Sequence, residues 1–150
     1  MNELQYEFAG IKGFEILQTL NKRIEKLLDK DHQIGHSYFM KKDGNDMEER
    51  LVSCFYKNII PLLQEYFFGD FGKIGLVLGQ GFVQKKEWNK SSDSFAEFDY
   101  QSSSEFEDRE VFEIIDYRIP EIKHTILIKG KEVQMDFQKA IKLLMQQYIE

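Results

Sequence analysis

Apolar residues recur at three- and four-residue steps through the first half of the chain. Phe14, Ile16, Leu17, Leu20, Ile24, Leu27 and Leu28 form one stripe, with Lys22, Glu25, Lys26 and Asp29 opposite, which predicts an amphipathic helix from about Phe14 to Asp29. Gly13 precedes it, and Asp31 and Gly35 follow. A second helix is expected from Asn45 or Asp46 through Leu51, Cys54, Phe55 and Ile59; Asn45 as N-cap and Glu48 three residues on make a capping-box pattern. Pro61 has no amide hydrogen and its ring crowds the preceding turn, so it kinks this helix or opens a new one. Leu62, Leu63, Tyr66 and Phe67 continue the apolar face, and the cluster Tyr66, Phe67 and Phe68 is expected to build the core. Asp70 is placed to cap a short helix holding Ile74, Val77 and Leu78, closed by Gly79.

The period changes further on. Thr125–Ile128 and Glu132–Met135 flank Lys129-Gly130-Lys131 and read as a hairpin, with glycine supplying a positive φ. Asp136 then caps a last helix with Phe137, Ala140, Ile141, Leu144, Met145 and Tyr148 on one stripe. Val111–Tyr117 fits strand or helix by pattern and is taken as strand. The fold class expected is α+β: a mainly helical bundle, an acidic loop, then a small C-terminal hairpin and helix.

Charge sharpens the division. Between Glu87 and Glu121 stand 11 acids against 3 bases, a net of −8, while the remainder carries 15 acids and 17 bases. Ser91-Ser92 and Ser102-Ser103-Ser104 lie in the same stretch, a composition that argues for a solvated, mobile connector over Asn89–Glu105. The interleaved Phe95, Phe98, Tyr100 and Phe106 offer a second reading, a segment docked on a neighbouring surface. Three regions follow: helical over 1–86, acidic and serine-rich over 87–110, hairpin plus helix over 111–150. At 150 residues with 42% hydrophobic content there is enough chain for one sizeable core. A formal charge of −6 argues against a broad nucleic-acid-binding face. The single cysteine excludes an internal disulfide, no apolar run nears the roughly 20 residues of a membrane span, and the N-terminus lacks a basic leader. A cytoplasmic protein is the expectation.

Candidate chemistry is sparse. Gly72-Lys73 and Gly130-Lys131 are followed by Ile74 and Glu132, so neither offers the hydroxyl of a Walker loop. Gly79-Gln80-Gly81 reads as a helix end. His32 and His36 are four apart, but Gln33 stands where a zinc-protease helix needs its glutamate, and Gly35 weakens a helix there. A turn with hydrogen-bonded histidines is the simpler reading. Cys54 falls on an apolar stripe as a small buried hydrophobe. No catalytic or metal-binding set emerges.

Two segments are more specific. Leu20-Asn21-Lys22-Arg23-Ile24-Glu25-Lys26-Leu27-Leu28 continues through Asp31-His32-Gln33-Ile34-Gly35-His36-Ser37-Tyr38-Phe39. Ile59-Ile60-Pro61-Leu62-Leu63-Gln64-Glu65-Tyr66-Phe67-Phe68-Gly69-Asp70 follows. In this order they resemble the C-terminal lid of McrB-type AAA+ NTPases, motor subunits of modification-dependent restriction systems, over about Phe14 to Phe82. The resemblance implies a helical lid that closes over nucleotide held by a separate core. It places His36, Ser37 and Tyr38 on the nucleotide-facing side, with Arg50 first and Lys57 second as the cation sensing terminal phosphate. Arg23 is expected to pair with an acid inside the lid. The complete motors of that family use NTP and Mg²⁺, whose Walker motifs and arginine fingers are not found in this sequence, so no hydrolysis and no cofactor of its own are expected. Implied partners are the AAA+ core or ring subunits and an endonuclease subunit. Two further classes stay open: a lid-derived protein-interaction module, and an acidic regulator of a DNA-acting complex.

Overall fold

The computed structural model describes residues 7–39, 46–88, 95–101, 103–147 and 149. The chain opens on a two-residue hairpin, β1 (Glu7–Phe8) and β2 (Ile11–Lys12), whose turn residues Ala9 and Gly10 both have positive φ. It passes directly into α1 (Gly13–Leu27), which buries Ile16, Leu17, Leu20 and Ile24 on the stripe read from sequence. A 3₁₀ turn (Lys30–His32) leads to the four-residue α2 (His36–Phe39).

α3 (Met47–Cys54) is capped by Asp46, whose carboxylate accepts from the Glu49 amide. Asn45, the alternative cap, lies outside the described residues. Helical backbone continues past Pro61 by widening: Phe55–Ile59 is a π turn, in which the Ile60 amide donates to the Phe55 carbonyl five residues back, and α4 (Ile60–Tyr66) carries Pro61 in its first turn. An α-helical residue 61 would have to donate to the residue 57 carbonyl, which proline cannot do and its ring crowds. A wider turn just before it relieves both problems. α5 (Phe71–Leu78) starts on Asp70, which accepts from the Lys73 amide, and ends at Gly79, at φ +90°.

β3 (Val83–Lys86) pairs antiparallel with β4 (Val111–Ile114), Val83 opposite Ile114 and Lys86 opposite Val111. The acidic stretch is therefore the long connection of a hairpin. Its described part is not plain coil. It contains α6 (Ser103–Glu107), and its rings contact one another: Trp88 with Phe95 at 5.5 Å and Tyr100 with Phe106 at 6.2 Å between centroids. β5 (His124–Ile128) and β6 (Lys131–Met135) form the expected hairpin, with Lys129 and Gly130 both at positive φ, as a two-residue turn of the right twist requires. α7 (Phe137–Leu144) begins on Asp136, which accepts from the Lys139 amide, and stops before Tyr148, which lies outside the described residues.

Helices and hairpins share one core. Phe55 of the π turn stacks on Phe82 at 5.3 Å and 11°, and Phe137 at the start of α7 meets both rings edge-on at 5.7 Å. Such pairs add about 0.5–1.5 kcal/mol beyond the area they bury. Gly81 permits this approach: a Cβ there would stand 2.8 Å from the Ala140 Cα. The Tyr56 hydroxyl donates to the Ile115 carbonyl at 2.6 Å and accepts from the Tyr117 amide, while the Tyr117 hydroxyl donates to the Gly81 carbonyl. Phe68 corrects the sequence reading. Phe67 is buried and Tyr66 half-buried, but Phe68 sits at φ +52° and is 95% exposed, because the turn from α4 to α5 points it outward.

Candidate functional site

The first signature segment is a scaffold for one turn. Asn21 projects from α1 and grips the main chain of Ile34 on both sides: its amide nitrogen donates to the Ile34 carbonyl at 3.0 Å, and its amide oxygen accepts from the Ile34 amide at 2.6 Å. Asp29 accepts from the His32 amide and pairs with its ring Nδ1 at 2.6 Å. These hydrogen bonds hold the Asp29 carboxyl below its ordinary range. His32 in turn meets Tyr66 edge-on at 5.0 Å, so the two signature segments touch. Of the histidine pair, His32 is thus internally bonded and His36 is exposed at the start of α2.

Arg23 departs from the expected acid pairing. Its guanidinium donates to the Val77 carbonyl at 2.7 Å and to the Leu144 carbonyl at 2.6 Å. Both are acceptors in the last turns of α5 and α7, where carbonyls lack helical partners and the helix dipole is negative. A forked donor can serve two helix ends; a carboxylate would serve neither. Partial burial lowers the guanidinium pKa from its ordinary value.

The clamped turn presents His36 and Ser37 to solvent, and α2 packs on the π turn that carries Lys57, itself exposed. Tyr38 lies in α2, with its side chain outside the described set. The structure therefore gathers the elements bearing His36, Ser37 and Lys57. Arg50 lies earlier, on α3, half-buried and engaged within the fold. Beside the clamp is a polar hollow of about 270 Å³ lined by Gln18, Asn21, Lys22 and Gln33. Gln18 escaped the sequence reading, and Lys22 and Gln33 entered it only as a polar-face residue and a missing glutamate, since solvated polar residues on a helix and a turn carry no distinguishing spacing. Among the described residues no group of three or more His, Cys, Asp or Glu side chains is placed to hold a metal ion, and no helix is long and apolar enough to cross a membrane.

Short helices around a clamped, solvent-facing turn define a small helical cap. Residues 14–75 match the family model described as McrB, alpha-helical lid domain. The match ends inside α5; β3 to β6 and α7 lie beyond it. No curated protein and no solved structure matches the chain.

Proposed function

We propose that this chain serves as the lid of a McrB-like AAA+ motor in a DNA restriction system, closing over nucleotide held by a core outside these 150 residues and relaying its state as a rigid-body rotation. The observation that carries this reading is the lid match over residues 14–75, together with the Asn21 clamp that holds the His36–Ser37 turn outward beside the π turn. On this reading the partners are AAA+ core or ring subunits and an endonuclease subunit, and NTP with Mg²⁺ belongs to the assembled motor. The chain itself hydrolyses nothing: phosphoryl transfer needs a phosphate loop and metal-holding acids, and the sequence contains neither motif.

Lys57 takes precedence over Arg50 as the phosphate-sensing cation, because it is exposed on the element that packs against α2 while Arg50 is already engaged. Two measurements test the reading. The isolated chain with Mg²⁺ and either ATP or GTP should release no phosphate above buffer; Mg²⁺-dependent turnover would make it an enzyme and refute the proposal. In a complete motor carrying this lid, Lys57→Ala should lower turnover by about a hundredfold or more, the usual scale for losing a donor aimed at the reacting charge, with the melting temperature preserved. If the double variant Lys57→Ala/Arg50→Ala turned over normally, the assignment of this face would fall.

A further inference from the structure

The acidic hairpin connection carries rings that the core does not use. Phe98 is 80% exposed, and Phe95, Tyr100 and Phe106 are exposed beside it. With Ala96, Ser103, Arg109 and Val111 they line an open cavity of about 370 Å³ that is almost wholly apolar. The rings contact one another and a short helix runs through the segment, so the apolar residues are clustered rather than scattered singly. Acids alternate with these residues along the chain: Glu97 and Asp99 beside Phe98, Glu105 and Glu107 on either side of Phe106, and Glu110 before Val111. All are exposed. The arm already shows which ion its rings accept, since the Arg109 guanidinium lies over Phe106 at 5.0 Å.

We propose that this aromatic cup docks a segment of a partner protein in which an apolar side chain is flanked by lysine or arginine. The apolar anchor fills the cup, and the acids around it select the flanking cations and reject acidic competitors. Nucleic acid does not fit, because a stretch with 11 acids and 3 bases repels phosphate. An anionic membrane surface is disfavoured for the same reason. The site lies outside the lid match and stands whether or not the lid reading holds.

The chain contains a single tryptophan, Trp88, which packs on Phe95 at the edge of the cup and reports its occupancy. The full chain is titrated with a synthetic peptide alternating lysine and leucine, following Trp88 emission and the anisotropy of labelled peptide. Saturable binding is expected, with lysine–serine and glutamate–leucine counterparts at least about tenfold weaker. Phe98→Ala should weaken binding by about tenfold, as truncating an interface anchor does. Glu97→Lys/Glu105→Lys should weaken it similarly and reduce its salt dependence. Circular dichroism and the melting temperature of each variant should match the parent, since none of these residues belongs to the core. The proposal is overturned by any of four results. These are no saturable binding, equal binding of the lysine–serine or glutamate–leucine peptide, unchanged affinity in Phe98→Ala, or a Trp88 response to phosphatidylcholine vesicles, to duplex DNA or to self-association of the chain alone.

Discussion

Arg23 binds together parts of the chain that lie far apart in sequence. Its two acceptors are 54 and 121 residues away, on two different helix ends. Charged hydrogen bonds of this kind are worth about 1.5–3 kcal/mol each, and their loss would leave two helix-terminal carbonyls short of a donor. Arg23→Met keeps most of the stem packing and removes both bonds. It should destabilise the protein by about 3 kcal/mol, read as a lower urea midpoint. Arg23→Lys, with one compact ammonium in place of a fork, should recover part of that loss. A midpoint unchanged in Arg23→Met would mean that the carbonyls are equally well served by water. No sequence pattern announces this role. An arginine on the polar border of a helical stripe looks like half of a salt bridge, and backbone carbonyls carry no side-chain signature to search for.

Elements whose formation is decided locally were legible. The stripe of α1, the Asp70 and Asp136 caps, the Gly79 stop and the Lys129–Gly130 turn each depend on residues within a few positions of one another. What the pattern hid depends on distant partners. Val83-Gln84-Lys85-Lys86 is mostly polar, and becomes a strand because Val111–Ile114 returns beside it after a long connection. Pro61 was readable as a disturbance, but the pattern left a kink or a new helix open, and the structure resolves it as a π turn whose Phe55 packs on Phe82 and Phe137. Gly81 was read as part of a helix end, whereas its purpose is closeness to α7. Gly81→Ala tests that directly. The added methyl would meet the Ala140 Cα at 2.8 Å, and backbone cannot turn aside as a flexible side chain can. Overpacking of this kind costs about 1–3 kcal/mol. The variant should unfold earlier in a thermal melt, whereas Gly130→Ala, with open space around its Cβ, should show only the strain of its positive φ.

At the scale of the molecule, the lid match stops within α5 but the packing does not. Phe82, Ile115, Met135, Phe137 and Leu144 are buried in the same cluster as Leu20, Leu51 and Phe55. Any rotation of the matched segment must therefore carry β5, β6 and α7 with it, because moving one against the other would open a shared aromatic core. Tyr56 joins the matched segment to the rest by reaching the Ile115 carbonyl, and Tyr117, beyond the match, reaches the Gly81 carbonyl, each as a donor that must keep its proton. Burial, the largest cause for both, pushes their pKa values well above the ordinary tyrosine range. The sign follows from linkage. With the folded pKa raised, the stabilisation is complete below the unfolded value near 10 and is lost as pH rises above it, since the unfolded chain then releases protons that the fold retains. Urea unfolding at pH 8, 10 and 11 should show stability falling mainly across the upper interval. Tyr56→Phe/Tyr117→Phe should be less stable at pH 8, having lost both bonds, and should fall less steeply between pH 10 and 11. Parallel losses in parent and double variant would show that other groups set the alkaline limit of the shared core.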